Sequence, residues 1–163
     1  MYKHLALVGA ITITGCSVDN SGYCGEINTY DKEMTDSTGI VLEPGGDMYV
    51  SFETVSRLYQ DTQACMGMTA PAPTVAYIDF RQRIGSIGGW GVYIVSGQVV
   101  WLNTAIDEYI PRNCASDIET LKHEYVHHIL HLNIDDASGH SSPMFATCGP
   151  GPYVKDGVPV LNP

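Results

Sequence analysis

The chain has 163 residues, of which 44 % are hydrophobic, and its formal charge at pH 7 is −10. This length and composition suit one domain that can bury its own core. The strongly negative charge argues against nucleic acid and anionic membrane surfaces as electrostatic partners.

The N-terminus has the pattern of an export signal. A single lysine precedes an apolar run over residues 5–14, which is too short to span a bilayer about 30 Å thick. The run ends in Ile-Thr-Gly before Cys16, and this sequence resembles a bacterial lipobox. The resemblance implies a signal peptide over residues 1–15 and a lipid anchor on Cys16. The lipobox-like sequence therefore predicts a lipoprotein of the bacterial cell envelope. Because serine follows the cysteine, we expect its location to be the outer membrane. The alternatives are an ordinary cleaved signal peptide and a cytosolic chain with an apolar N-terminal strand.

Residues 16–47 are polar, contain glycine and show little periodicity. Such a composition is typical of a flexible tether, which here would hold the domain away from the membrane. The folded domain is therefore expected over residues 48–163.

The domain begins with a predicted helix over residues 53–66, with Ser51 as its N-cap. A strand is predicted over residues 74–80, after a proline-rich connector. Residues 91–95 and 98–102 are expected to form a β-hairpin turned at a Ser-Gly pair. Together with a later helix, this order predicts a single α+β domain, with a small mixed or antiparallel sheet packed on the two helices.

An amphipathic helix is predicted over residues 117–132. Ser116 and Glu119 form a capping box at its start, and Asn133 is the expected left-handed stop. His128 lies about 100° from the adjacent His127 around the helix, so we expect it to be solvated or to cap backbone groups.

This helix carries the HExxH motif His-Glu-Tyr-Val-His. His123 and His127 lie one turn apart on the same face, where their imidazoles can bind one Zn²⁺. Glu124 can reach a water molecule at that metal and act as general base. The motif predicts a zinc site on this helix.

A third protein ligand must come from outside the HExxH pair. The chain has no glutamate after Glu124 and does not keep the metzincin spacing of histidines. His131 lies about 12 Å along the helix axis from His123, too far to share one metal. The remaining candidates are Asp135, Asp136, His140 and Asp156. His140 is favoured because a short polar turn before it can reverse the chain.

HEYVH followed by GHSSPMF resembles the SprT-like branch of the zincin metallopeptidases. In that branch the third histidine opens a short helix, and an aromatic residue follows it. The resemblance covers residues 116–148. It implies a zincin-like fold in which His123, His127 and His140 bind one Zn²⁺ and Glu124 is the general base.

In zincins an edge strand beside the zinc helix pairs with the extended backbone of the substrate. The apolar segment over residues 99–103 is the candidate for that strand. Val100, Trp101 and Leu102 are therefore the predicted substrate-binding residues.

Apart from Cys16, the chain has four cysteines, an even number that favours two disulfides in an exported protein. Three pairings are open. We favour Cys114 with Cys148, because these two bracket the zinc helix and the segment after it, and Cys24 with Cys65. Cysteine ligation of zinc is disfavoured because no CxxC motif occurs.

The leading hypothesis is a membrane-tethered zinc metallopeptidase that acts on a protein or peptide substrate, without a nucleic acid partner. One alternative is a peptidoglycan amide hydrolase, which would use the same water chemistry. Another is a non-catalytic zinc-binding or adhesion lipoprotein. Glu124 counts against the second alternative, because a structural zinc site needs no base and is closed by a fourth protein ligand.

Overall fold

A computed structural model describes residues 23–28, 32–43, 45, 47–79, 89–104, 112–136, 140–149, 153–155 and 158–160. The predicted signal peptide, the anchor at Cys16 and the candidate ligand Asp156 lie outside these ranges. Among the helices within them, none is long and apolar enough to cross a membrane.

The described elements form a mixed α+β fold. In chain order they are β1 (Cys24–Asn28), β2 (Met34–Thr35), β3 (Val41–Glu43), β4 (Met48–Val50), α1 (Phe52–Met66), β5 (Thr74–Ile78), β6 (Gly91–Ile94), β7 (Val99–Asn103), α2 (Cys114–Ile134), α3 (Met144–Thr147), β8 (Tyr153–Lys155) and β9 (Val158–Val160). The central sheet has the order β2-β3-β5-β7-β6, and β1 with β4 and β8 with β9 form two-stranded sheets. β3, β5 and β7 run parallel, while β2 and β6 pair antiparallel at the edges. The predicted α+β class is confirmed.

Helix α1 forms where the sequence predicts it. The Ser51 side chain accepts a hydrogen bond from the Thr54 N–H, and Gly67 ends the helix at φ 64°, in the left-handed region that glycine adopts without strain. Its buried face includes Val55 and Leu58, both fully buried. The predicted helix and its N-cap are confirmed.

The predicted hairpin also forms, but its place in the sheet differs from the prediction. β7 lies between β5 and β6, so its backbone is paired on both sides. Val100 and Leu102 are 0 % and 1 % exposed, and Trp101 is half-buried. The prediction that β7 is an edge strand is wrong, because the edge of the sheet beside α2 is β6.

The described part of the expected tether belongs to the fold. β1 pairs with β4, and β3 pairs in parallel with β5. Ile40 and Leu42 are fully buried. For these residues the prediction of a flexible tether over 16–47 is wrong. The strands involved have between two and five residues, too few for an alternating pattern to be visible in the sequence.

Helix α2 is longer than predicted at both ends. Its N-cap is Asn113, whose side chain accepts from the Ser116 N–H while the Ser116 hydroxyl accepts from the Asn113 N–H. It ends at Asp135, which has φ 56°. Asn133 does not stop the helix, because its side chain donates instead to the carbonyl of Thr69.

A buried ion pair fixes the start of α2. Arg112 and Asp117 lie 3.0 Å apart, and their side chains are 2 % and 3 % exposed. Asp117 also accepts from the Tyr49 N–H, and Arg112 donates to the carbonyl of Asp47. Because both charges are paired and hydrogen-bonded, the Arg112–Asp117 ion pair can stay buried while it links β4 to α2.

Replacing Asp117 by asparagine is expected to lower the free energy of unfolding by about 3–5 kcal/mol, because the buried Arg112 guanidinium then lacks a counter-charge. Urea denaturation with an unchanged m-value measures this loss. The control is Asp135→Asn, the same chemical change at an exposed residue, for which we expect a change within about 0.5 kcal/mol. A loss below about 1 kcal/mol in Asp117→Asn would contradict this role of the ion pair.

Candidate metal centre

Three histidine side chains converge on one point beside α2. His123 and His127 lie one turn apart on the helix, and His140 comes from the segment that follows it. The Nε2 atom of His140 is 3.0 Å from Nε2 of His123 and 3.2 Å from Nε2 of His127. The three candidate ligand atoms all lie within 4.8 Å of one another. This cluster can hold a metal ion.

The third member of the cluster is the histidine that the sequence favours. Asp135 and Asp136 are not members of the cluster, and Asp135 instead forms the left-handed C-cap of α2. His140 is exposed, whereas His127 is 7 % exposed. The cluster therefore opens to solvent on the side of His140.

An aromatic ring closes another side of the cluster. Phe145 belongs to α3, is 8 % exposed, and its ring centroid lies 5.1, 4.5 and 4.9 Å from those of His123, His127 and His140. It is the aromatic residue that follows the third histidine in the resemblance. An apolar wall of this kind excludes water and strengthens electrostatic interactions at the site.

Gly149 sets the orientation of His123. The backbone carbonyl of Gly149 accepts a hydrogen bond from the His123 ring. A Cβ atom at Gly149 would lie 2.8 Å from the carbonyl oxygen of Lys122 and 3.2 Å from the Cα of His123, so this approach requires glycine. A backbone acceptor on one ring nitrogen leaves the other, Nε2, directed at the cluster. No local sequence pattern marks this role of Gly149, because the contact joins segments that only the fold brings together.

Burial keeps His123 in the form that binds metals. Desolvation, together with the neighbouring His140, lowers the pKa of His123 to about 4. The imidazole is therefore neutral at pH 7, with a lone pair for a metal.

The carboxylate of Glu124 is buried between α2 and β6. Glu124 is 6 % exposed, and burial raises its pKa to about 8, while a hydrogen bond from the Tyr93 N–H acts in the opposite direction. A Cβ atom at Gly91 would lie 3.1 Å from Oε1 of Glu124 and 2.6 Å from Cγ2 of Thr120. β6 therefore passes directly over this carboxyl group, and only glycine at residue 91 permits the approach.

The expectation that His128 is solvated is wrong, whereas the alternative, that it binds a backbone group, agrees with the structure. This side chain is fully buried, with Nε2 2.7 Å from the carbonyl oxygen of Pro71 and Nδ1 3.2 Å from the Tyr93 hydroxyl. The reason is that the proline-rich connector and β6 cover this face of α2.

The four cysteines form two disulfides, as predicted, but with the other pairing. Cys24 is bonded to Cys114, and Cys65 is bonded to Cys148. The predicted pairs are wrong because β1 lies beside β4 near the start of α2, whereas the end of α1 faces the segment after His140. The Cys65–Cys148 bond therefore ties the segment that carries His140 to helix α1.

Comparison of the chain with protein-family models, with curated proteins and with solved structures finds no match. The likeness to SprT-like zincins is thus a resemblance of motifs over residues 116–148. A functional assignment rests on the geometry of the site.

Removing the Cys65–Cys148 bond is expected to weaken zinc binding about tenfold or more, a change of roughly 1.4 kcal/mol, because the segment bearing His140 becomes looser. The matched control removes Cys24–Cys114. The two bonds have sequence separations of 83 and 90 residues, so each contributes about 4–5 kcal/mol in the chain-entropy model. Both serine double variants are titrated with zinc after circular dichroism has verified that they are folded. Equal affinity losses in the two would contradict this role.

Replacing His140 by alanine is expected to weaken zinc binding more than about 100-fold, since changes to groups that only orient ligands already cost roughly 10–100-fold. Zinc content after dialysis, measured by atomic absorption, checks this. His131→Ala removes a histidine that lies outside the cluster and should leave stoichiometric zinc. Full zinc retention in His140→Ala would point to Asp135 or Asp136 as the third ligand.

Proposed function

We propose that this protein is a zinc metallopeptidase that hydrolyses peptide bonds in protein or peptide substrates. The observation that carries the proposal is the convergence of three imidazole Nε2 atoms on one point, with Glu124 adjacent to His123 in the chain. Three protein ligands and a neighbouring carboxylate are the composition of a catalytic zinc site.

The spacing of the nitrogens fits zinc. Tetrahedral coordination with Zn–N bonds of about 2.0–2.1 Å places ligand nitrogens about 3.3 Å apart. The Nε2 separations from His140 to His123 and His127 are 3.0 and 3.2 Å, and all three candidate atoms lie within 4.8 Å of one another. Within the described residues the cluster has three members, whereas a structural zinc site is usually closed by four protein ligands. The exposed side at His140 suits the entry of a substrate.

Bound zinc supplies Lewis-acid activation of a water molecule and of the scissile carbonyl. Glu124 takes the proton of the attacking water on its carboxylate and returns it to the leaving amine nitrogen. A pKa raised to about 8 by burial keeps both protonation states of this group accessible near neutral pH. That property suits a residue that accepts a proton and then donates it.

The edge strand β6 provides a place for the substrate backbone. The Asn103 N–H donates to the Trp90 carbonyl, so the backbone of residue 90 faces β7 and alternate positions face outward. The outward N–H of Tyr93 meets Glu124. Because Glu124 already accepts from this N–H, an extended peptide beside β6 would pair with other outward backbone groups of the strand and would run past the proposed general base. This assignment replaces the one made for β7.

We further propose that the enzyme acts in the bacterial cell envelope, held at the outer membrane by a lipid on Cys16. The lipobox-like sequence before that cysteine supports this location. The two disulfides also support it, because such bonds persist in oxidising compartments outside the cytoplasm.

The decisive comparison is between the zinc-loaded parent chain and Glu124→Gln on an unfolded protein substrate. We expect the cleavage rate of Glu124→Gln to be lower than that of the parent by a factor of roughly 10² to 10⁴ at unchanged zinc content. The reason is that the side-chain amide cannot take the proton of the attacking water. Glu53→Gln, at an exposed position of α1, should cleave like the parent.

Equal cleavage by Glu124→Gln and the parent would contradict the assignment of the base. A parent that binds zinc and cleaves nothing would contradict a general peptidase. Cell-wall fragments would then be tested, because a peptidoglycan amide hydrolase uses the same chemistry.

A further inference from the structure

Helix α2 has a second functional face, adjacent to the one that carries the ligands. The residues of this face recur at every third or fourth position and face β6. We call them the β6-facing stripe, which consists of Thr120, Glu124, His128 and His131. Gly91 lies against Thr120 and Glu124. Two residues further along β6, the ring of Tyr93 lies 5.2 Å from that of His128 and 5.8 Å from that of His131.

Tyr93 contacts this stripe through its side-chain hydroxyl and through its backbone N–H. Its hydroxyl oxygen is 2.9 Å from Nδ1 of His131 and 3.2 Å from Nδ1 of His128. Its backbone N–H donates to the carboxylate of Glu124. One residue of the edge strand therefore joins the two non-ligand histidines to the general base.

In this series of hydrogen bonds each donor points to the next residue, from His131 through Tyr93 and His128 to the carbonyl of Pro71. The carbonyl of Pro71 can only accept, so Nε2 of His128 carries a hydrogen, and Nδ1 of the neutral ring is an acceptor. The Tyr93 hydroxyl then donates to that Nδ1, and its oxygen accepts from Nδ1–H of His131. The phenol thus has a partner for its donor and for its acceptor, so its position is well defined.

We propose that Tyr93 is a positioning residue for Glu124. Its phenol, held by His128 and His131, fixes β6 against α2 and thereby keeps the Tyr93 amide on the Glu124 carboxylate. A glutamate side chain has several rotatable bonds, and a fixed donor restricts them to one orientation of the carboxylate. The inference rests on the proposed function, since it concerns the base of that reaction.

The test variant is Tyr93→Phe, and Tyr59→Phe is its matched control. Tyr59 is also buried, at 2 % exposure, and its hydroxyl donates to backbone carbonyls of the same connector, at 2.9 Å to Ala70 and 2.8 Å to Pro71. Tyr59 packs against Tyr125 of α2. Both variants therefore lose a phenol hydroxyl from similar surroundings. Only Tyr93→Phe removes the hydroxyl of the residue whose amide is bonded to Glu124.

The first readout does not require catalysis. Hydrogen exchange of the residue 93 amide is followed by NMR in the full chain. We expect exchange about tenfold faster in Tyr93→Phe, the effect of losing roughly one hydrogen bond, and a rate in Tyr59→Phe equal to that of the parent.

The second readout is kinetic. In the zinc-loaded chain we expect kcat to fall about tenfold in Tyr93→Phe, with KM within about twofold of the parent and zinc content unchanged. Tyr59→Phe should keep the parental kcat. A residue that only stabilised the fold would change both variants alike.

Unchanged amide exchange in Tyr93→Phe, or an equal increase in Tyr59→Phe, would overturn the positioning role. Equal kcat values for the two variants would also overturn it. If the parent cleaves no substrate, the proposed function fails, and the exchange rates still decide whether the phenol holds the amide on Glu124.

Discussion

The close approach of two glycine backbones to α2 is the constraint on which the site depends. Gly91 brings β6 onto the Glu124 side of the helix, and Gly149 brings the chain onto the His123 side. A methyl group at either position would overlap atoms of the helix or of its side chains. Because these approaches bury parts of α2, the Glu124 carboxyl group and the His123 imidazole lie in surroundings that disfavour charge. The same packing therefore shapes the site and determines its protonation.

The rest of the fold keeps these approaches in place. The Arg112–Asp117 pair links the start of α2 to β4, and Cys65–Cys148 links the segment after His140 to α1. Two of the three candidate ligands share one helix and are aligned by local geometry alone. The third is separated from them in the chain and depends on a covalent bond between other elements, so the integrity of the site and the stability of the fold are coupled.

Prediction succeeded where the physical signal is local. Helix α1 with its Ser51 cap, the hairpin of β6 and β7, and the common helix face of His123 and His127 follow from periodicity, capping and turn chemistry within a few residues. It failed for the short strands β1 and β3, and for the disulfide pairing. A strand of three to five residues carries little pattern. Two disulfides admit three pairings, which are distinguished only by the packing of β1 near the start of α2 and of α1 against the segment after His140.

The sequence by itself determined which atoms are available for chemistry. The spacing of His123, Glu124 and His127 places two candidate ligands and a carboxylate on one helix, because the turn of an α-helix is invariant. Only the tertiary structure decided that β6 is the edge strand, that His128 is buried, and that Tyr93 reaches Glu124. These contacts join segments that are distant in the chain, and their energies depend on packing that no local pattern encodes.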